Sequence, residues 1–253
     1  MLLCPNIFAS DAVRESKIIS EIKRSLAHGE VLILDPDNQA FFAIYEETSL
    51  AIKQGGVIII HGIDSNPDSP IIINPLRTQL LDSGWDTLSL QMPVSHEGSS
   101  LEKYIELIPE AFPRLDAAIS FFSNENNFNL AIVAHGMGAT MATDYLNQTT
   151  QNTVRALIAI SMVSPQDKIS QSLEKLTIPI LDLYGSKDLP SVLNNAKNRK
   201  RAVILKAKNF NYRQVKIEGA NHDFTGLNDA LVSTVRAWLG ENATGTVTKS
   251  RIK

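Results

Sequence analysis

Apolar residues along this chain fall into short runs separated by polar, glycine- or proline-bearing stretches, and the runs change character after residue 55. Before it, Val31-Leu-Ile-Leu34 and Phe41-Phe-Ala-Ile-Tyr45 predict two strands around Asp35-Pro-Asp-Asn38. Proline presets one φ angle there and Asp and Asn cap locally, so a hairpin is expected. A charged amphipathic stretch from Ala12 to Leu26 precedes it. Gly56-Val-Ile-Ile-Ile60 then opens a series of short, wholly apolar runs, the pattern of strands buried on both faces. Further strands are expected at Thr87–Leu90, Leu130–Val133, Ala156–Ile160, Pro179–Leu183 and Tyr212–Ile217. Helical stretches lie between them, at Pro75–Ser83, Leu101–Phe122, Gly138–Leu146, Gln166–Leu176 and Ser191–Lys206. Phe224–Leu239 closes the series, with Leu227, Leu231, Val235 and Trp238 at helical spacing.

Strands alternating with helices imply an α/β fold with a mainly parallel sheet covered on both faces, here with an antiparallel hairpin in front. A single domain from residue 12 to 239 accounts for the pattern. Pro109 and Pro113 should break or kink the stretch after Leu101. The segment from Ser95 to Phe122 is expected to cover the cleft, and Trp85 and Trp238 to pack in the core. The tail 240–253 is polar without apolar periodicity and is expected to be disordered. Residues 1–11 read either as the remnant of an export signal, cleaved after Ala9, or as a frayed end. The first reading places the protein in the periplasm or outside the cell, the second in the cytoplasm.

Composition narrows the partners. With 43% hydrophobic and 20% charged residues and a net charge of -3, the chain has a full-sized core and no general attraction to nucleic acid, which is not expected as a partner. A lone cysteine, Cys4, excludes an intramolecular disulfide and argues against a cysteine-based metal site. Neither a metal nor a cofactor is expected. No run of about 18 apolar residues is present, so no transmembrane helix is expected. One charge feature stands apart: Lys197, Arg199, Lys200, Arg201, Lys206, Lys208, Arg213 and Lys216 occur with no acidic residue among them. A solvated helix face is the simpler reading; a weak contact with an anionic surface is the other.

Candidate chemistry lies at the C-terminal ends of strands, where open α/β sheets bind ligands. His61-Gly62 follows the most apolar strand and turns sharply enough to aim backbone N–H groups into a crevice, and Ser65 lies in the same loop. Ala134-His-Gly-Met-Gly138 has the frame of the nucleophile elbow Gly-x-Ser-x-Gly, with Gly136 in the serine position and His135 before it. Glycine suits the strained backbone of that turn and removes the chemistry. Asp188 follows one strand and His222 the next, which completes the order nucleophile, acid, histidine. Asp188 would hold the imidazole tautomer and His222 would move protons. His96, in the loop after Thr87–Leu90, also leaves a strand end towards the cleft, whereas His28 before Gly29 reads as a turn residue.

From about Val31 to Leu239 these features resemble the α/β-hydrolase superfamily. More narrowly, the stretch from Pro70 to Pro93 resembles an uncharacterised bacterial branch, a domain family of unknown function, whose members often begin with an export signal. The resemblance implies an acid at Asp188, a base at His222 and an oxyanion hole from the amides of Ile63 and Met137. The serine does not carry over, because Gly136 stands in its place. Without that hydroxyl no acyl-enzyme forms. A binding or scaffold protein of unknown acyl or small-molecule ligand is the first expectation. A hydrolase using a His-activated water, or Ser65 or Ser161 as a displaced nucleophile, is the alternative.

Overall fold

A computed structural model describes residues 10–149, 153–163 and 173–243. The N-terminal stretch before Ser10, most of the helix expected at Gln166–Leu176 and the tail beyond Ala243 lie outside these residues. Among the described residues eight strands form one sheet: β1 (Glu30–Leu34), β2 (Phe41–Glu46), β3 (Gly55–Ile60), β4 (Trp85–Leu90), β5 (Leu130–His135), β6 (Val154–Ile160), β7 (Ile180–Lys187) and β8 (Tyr212–Asn221). They lie in the order β1-β2-β4-β3-β5-β6-β7-β8. β2 runs against both of its neighbours, while β3 to β8 pair in parallel. This is the α/β-hydrolase arrangement. Every residue of β3, β4 and β5 is buried; β3 is wholly apolar or glycine, as a strand covered on both faces demands, while β4 also buries Asp86, Thr87 and Ser89.

Seven helices flank the sheet among the described residues: α1 (Ala12–Ser25), α2 (Ile73–Gln79), α3 (Leu101–Glu106), α4 (Ile108–Asn124), α5 (Met137–Gln148), α6 (Pro190–Arg201) and α7 (Asn228–Asn242). Residues of α3, α4 and α5 pack on one face with Ile58, Ile60 and Ile132. Residues of α2 and α7, with both tryptophans, pack on the other with Val57, Ile59 and Val133. The alternation of neighbouring isoleucines and valines between the two clusters follows from side chains pointing to opposite faces along a strand.

Several boundaries differ from expectation for identifiable reasons. The stretch after Leu101 divides into two helices at Leu107, which leaves Pro109 in the first turn of α4, where a missing amide breaks no helical bond. Pro113 is tolerated inside α4. That helix buries Ala111, Leu115, Ala118 and Phe122 against the sheet, so it is a core helix and not a cover for the cleft. α6 ends at Arg201 and passes into a π-helical turn, Ala202–Lys206. α7 starts later than its apolar periodicity suggests, because Phe224 adopts a left-handed φ of 53° in the preceding turn. It also runs on through Gly240 to Asn242, so the first residues of the expected tail are helical. No helix among the described residues is long and apolar enough to cross a membrane.

Candidate functional site

The site forms where β3, β5, β7 and β8 end on one edge of the sheet. β5 leads into α5 through Gly136, whose φ of 57° and ψ of −121° turn the chain abruptly from strand to helix. The turn is fixed from both sides: the Gly136 amide donates to the Ile160 carbonyl at 2.9 Å, and the Val163 amide donates to the Gly136 carbonyl at 3.2 Å. Strand and helix close tightly only because Gly138 lacks a side chain. A Cβ there would lie 2.4 Å from the His61 carbonyl oxygen.

Asp188 and His222 meet as the order of motifs suggests. His222 Nδ1 lies 2.7 Å from Asp188 Oδ1. The carboxylate also accepts the Leu189 amide at 2.8 Å and the Gly185 amide at 3.2 Å, together with a very short bond from the Ser161 hydroxyl. Burial pushes the Asp188 carboxyl up, but the bonds from His222, Ser161, Leu189 and Gly185 outweigh it and hold the group below its ordinary range. An ionised Asp188 makes Nδ1 of His222 the protonated nitrogen and leaves Nε2 as an acceptor. Nε2 faces Gly136: a Cβ built on that glycine would stand 3.5 Å from it and 3.6 Å from the Gly62 Cα. A side chain therefore fits at Gly136 in space, and its hydroxyl would come within hydrogen-bond reach of Nε2.

Ser161 is fully buried, and its hydroxyl is bound to Asp188 and not to His222. Its role as a donor to the acid is one that sequence reasoning missed, although its place at the end of an apolar strand was a usable signal. Ser65 is half-buried and makes no hydrogen bond to His222 among the described residues.

The other histidines separate into distinct environments. His135 is buried, its Nε2 donates to the His222 carbonyl at 3.1 Å, and the two rings lie 4.7 Å apart. Burial, helped by the neighbouring His222, pushes its pKa down to about 4. His61 is turned inward and does not line the cleft with its ring: Nε2 accepts the Met92 amide at 3.0 Å and Nδ1 donates to the Gly62 carbonyl at 2.9 Å. His96 is exposed and pairs with Asp11 at 2.7 Å. His28 is an exposed turn residue whose carbonyl accepts from Arg77.

Ile63 and Met137 follow Gly62 and Gly136 directly. Met137 is the first residue of α5, where a helix leaves amides without an intrahelical carbonyl. The loop carrying Ile63 is braced from outside the sheet: Arg14 of α1 bonds Asp64 at 2.8 Å and the Ser95 carbonyl at 2.6 Å. Nothing in the sequence links Arg14 to this loop, because the contact spans α1 and three other segments.

The basic run does not form one face. Arg199 is fully buried against Asp182 at 2.8 Å, Arg213 pairs with Glu241 at 3.6 Å and Lys216 with Glu218 at 2.6 Å. Lys197, Lys200, Arg201 and Lys208 remain exposed.

Solved structures of esterases and hydrolases share this fold. Est1E from Butyrivibrio proteoclasticus superposes with a TM-score of 0.66 at 15% identity, covering 84% of this chain and 98% of its own. The Pyrococcus furiosus esterase Pf2001 gives 0.70 at 13%, covering 88% and 95%. The dienelactone hydrolase from Anabaena variabilis gives 0.67 at 18%, covering 85% and 98%. No curated protein sequence matches the chain. The family model described as "Protein of unknown function (DUF3530)" matches residues 9–106 and 102–241, nearly the whole of the described fold, and the chain belongs to that family.

Proposed function

We propose that this protein keeps the ligand cleft of an α/β-hydrolase and binds an acyl or related carbonyl compound there without the acyl-enzyme turnover of a serine hydrolase. The observation that carries this reading is Gly136: where His222 Nε2 faces the elbow the residue has no side chain, and no side-chain hydroxyl bonds to Nε2 among the described residues. The amides of Ile63 and Met137 would hold the carbonyl oxygen, since an oxyanion hole needs preorganised donors and no nucleophile of its own. Removing a triad member leaves about 10³–10⁴-fold catalysis over water, far short of a working enzyme.

A second reading is favoured by one specific observation, the intact 2.7 Å pair of Asp188 and His222. In it, Nε2 takes a proton from a water standing in the space left by the missing side chain. The water oxygen would attack the carbonyl carbon, pushing its π electrons onto the carbonyl oxygen. Collapse of this intermediate would break the bond to the alkoxide, which leaves with the proton from Nε2, and Asp188 would stabilise the imidazolium in between. Ser161 does not serve as a displaced nucleophile in either reading, because its hydroxyl is committed to the acid.

The test is labelling by a fluorophosphonate probe, combined with hydrolysis of short acyl esters. The wild-type chain is expected to stay unlabelled and inactive, and Gly136→Ser to gain both labelling and hydrolysis. Ester turnover by the wild type that disappears in His222→Ala would overturn the binding reading in favour of the water mechanism. Silence of Gly136→Ser in both assays, with the fold intact by circular dichroism, would show that the cleft no longer presents a carbonyl to the elbow.

A further inference from the structure

We infer that His135, His222 and Asp223 form a site for one divalent transition-metal ion beside Gly136. One ring nitrogen of each histidine and one carboxylate oxygen of Asp223 lie within 4.8 Å of one another. The inference stands on this geometry and does not depend on whether the cleft turns anything over.

Proximity alone would be weak, and the hydrogen bonds around the two rings make it specific. A metal-binding histidine usually donates its other ring N–H to a carboxylate or a backbone carbonyl, which fixes the tautomer and aims the lone pair. Both arrangements occur here. His222 Nδ1 is held by the Asp188 carboxylate at 2.7 Å, and His135 Nε2 by the His222 carbonyl at 3.1 Å. Each ring is left with one unprotonated nitrogen, Nε2 on His222 and Nδ1 on His135. Neither of these two nitrogens hydrogen-bonds to another residue among the described residues.

Space is available as well. Gly136 has no side chain, and apart from its two chain neighbours a Cβ there would meet nothing closer than His222 Nε2 at 3.5 Å. Tetrahedral coordination at about 2.0–2.1 Å requires ligand atoms roughly 3.3 Å apart, so the cluster must tighten on binding. Asp223 is exposed and can supply that movement, while the buried His135 provides the fixed end. Two imidazoles and one carboxylate, with a water completing the shell, are a donor set that suits Zn²⁺ and its neighbours and not Ca²⁺ or Mg²⁺. Such an ion would occupy the room that a serine side chain would otherwise fill.

The experiment uses the full chain stripped of metal with a chelator. Co²⁺ is titrated with the visible d–d bands as readout, and Zn²⁺ by isothermal titration calorimetry. Expected are one ion per chain and the intense bands of a four- or five-coordinate cobalt site. Asp188→Asn is expected to weaken binding about 10–100-fold through the orientation of His222 alone. Asp223→Asn and His135→Asn should weaken it at least as much. Asp223 is exposed, so its variant keeps the fold and preserves the test should His135→Asn fail to fold. No binding to the wild type, or binding that Asp223→Asn leaves unchanged, as a surface ion at His28 or His96 would give, overturns the inference. Ester hydrolysis and probe labelling on the same sample report on the proposed function separately.

Discussion

Glycines decide the shape of the elbow, and the two that matter most do so for different reasons. At Gly136 the constraint is conformational, because φ is 57° while beyond its two chain neighbours a Cβ would find ordinary contact distances of 3.5 Å and more. At Gly138 the constraint is steric, because a Cβ would lie 2.4 Å from the backbone oxygen of His61, which cannot rotate away. Gly136→Ala should therefore cost about 2 kcal/mol, the middle of the range for an L-residue held in a sparsely populated positive-φ conformation. Gly138→Ala should cost more, about 3 kcal/mol, since it forces β5 and α5 away from the loop after β3. Urea unfolding of the two variants checks the ranking; equal losses would mean that the elbow relaxes where the packing suggests it cannot. This contrast also explains why a serine is admissible at Gly136 and nothing larger than glycine at Gly138.

The elements show where charge has been used to fix one segment on another. Asp182 sits in the middle of β7, where its carboxylate accepts Arg199 Nε at 2.8 Å, the Tyr212 hydroxyl at 2.6 Å and Gln214 Nε2 at 2.8 Å. This network joins α6, β7 and β8. Removing one partner strands a buried charge, so Asp182→Ala should destabilise the fold by about 3–5 kcal/mol. Replacing both, as Asp182→Leu with Arg199→Met, should restore most of that loss. A double variant no more stable than Asp182→Ala would show that the network specifies the docking of α6 beyond its charge balance. The same residues mark what the sequence does and does not disclose. A lone aspartate inside the apolar run Pro179–Leu183 signals a buried cation nearby. Which cation answers it depends on a helix that folds back on the strand, and no local pattern encodes that.

At the scale of the whole molecule, the sheet was legible because the inner strands are largely buried on both faces and so are dominated by short apolar runs, with few polar interruptions such as Asp86 and Asp182. The proximity of the candidate residues was legible too: Gly136, Asp188 and His222 follow strands in a fixed order, and the sheet brings strand ends together. The ring of His61 escaped that logic, since a strand-end position does not say which way a side chain turns. Its inward turn has a consequence for acid stability. Burial pushes the His61 pKa down to about 4; the Gly62 carbonyl opposes this, and Arg114, His135 and Arg14 reinforce it. The unfolded chain titrates near 6.5. Between these values the unfolded chain binds a proton that the folded chain refuses, so stability rises with pH across that window. The contribution is fully present above about pH 6.5, declines as pH falls and is exhausted near pH 4, a loss on the order of 3 kcal/mol. His135, also pushed down to about 4, adds a slope of the same sign. Unfolding free energies measured from pH 7 to 4.5, with chelator present to keep ions from His135, isolate the His61 share by comparison with His61→Gln. The variant should stay close to the wild type in stability at pH 7, because the introduced amide oxygen can still accept from the Met92 amide. Its pH slope should be shallower by about one proton. A slope equal to that of the wild type would mean that His61 is protonated in the fold, with Nε2 no longer available to the Met92 amide, and the loop carrying Ile63 would then be held in some other way.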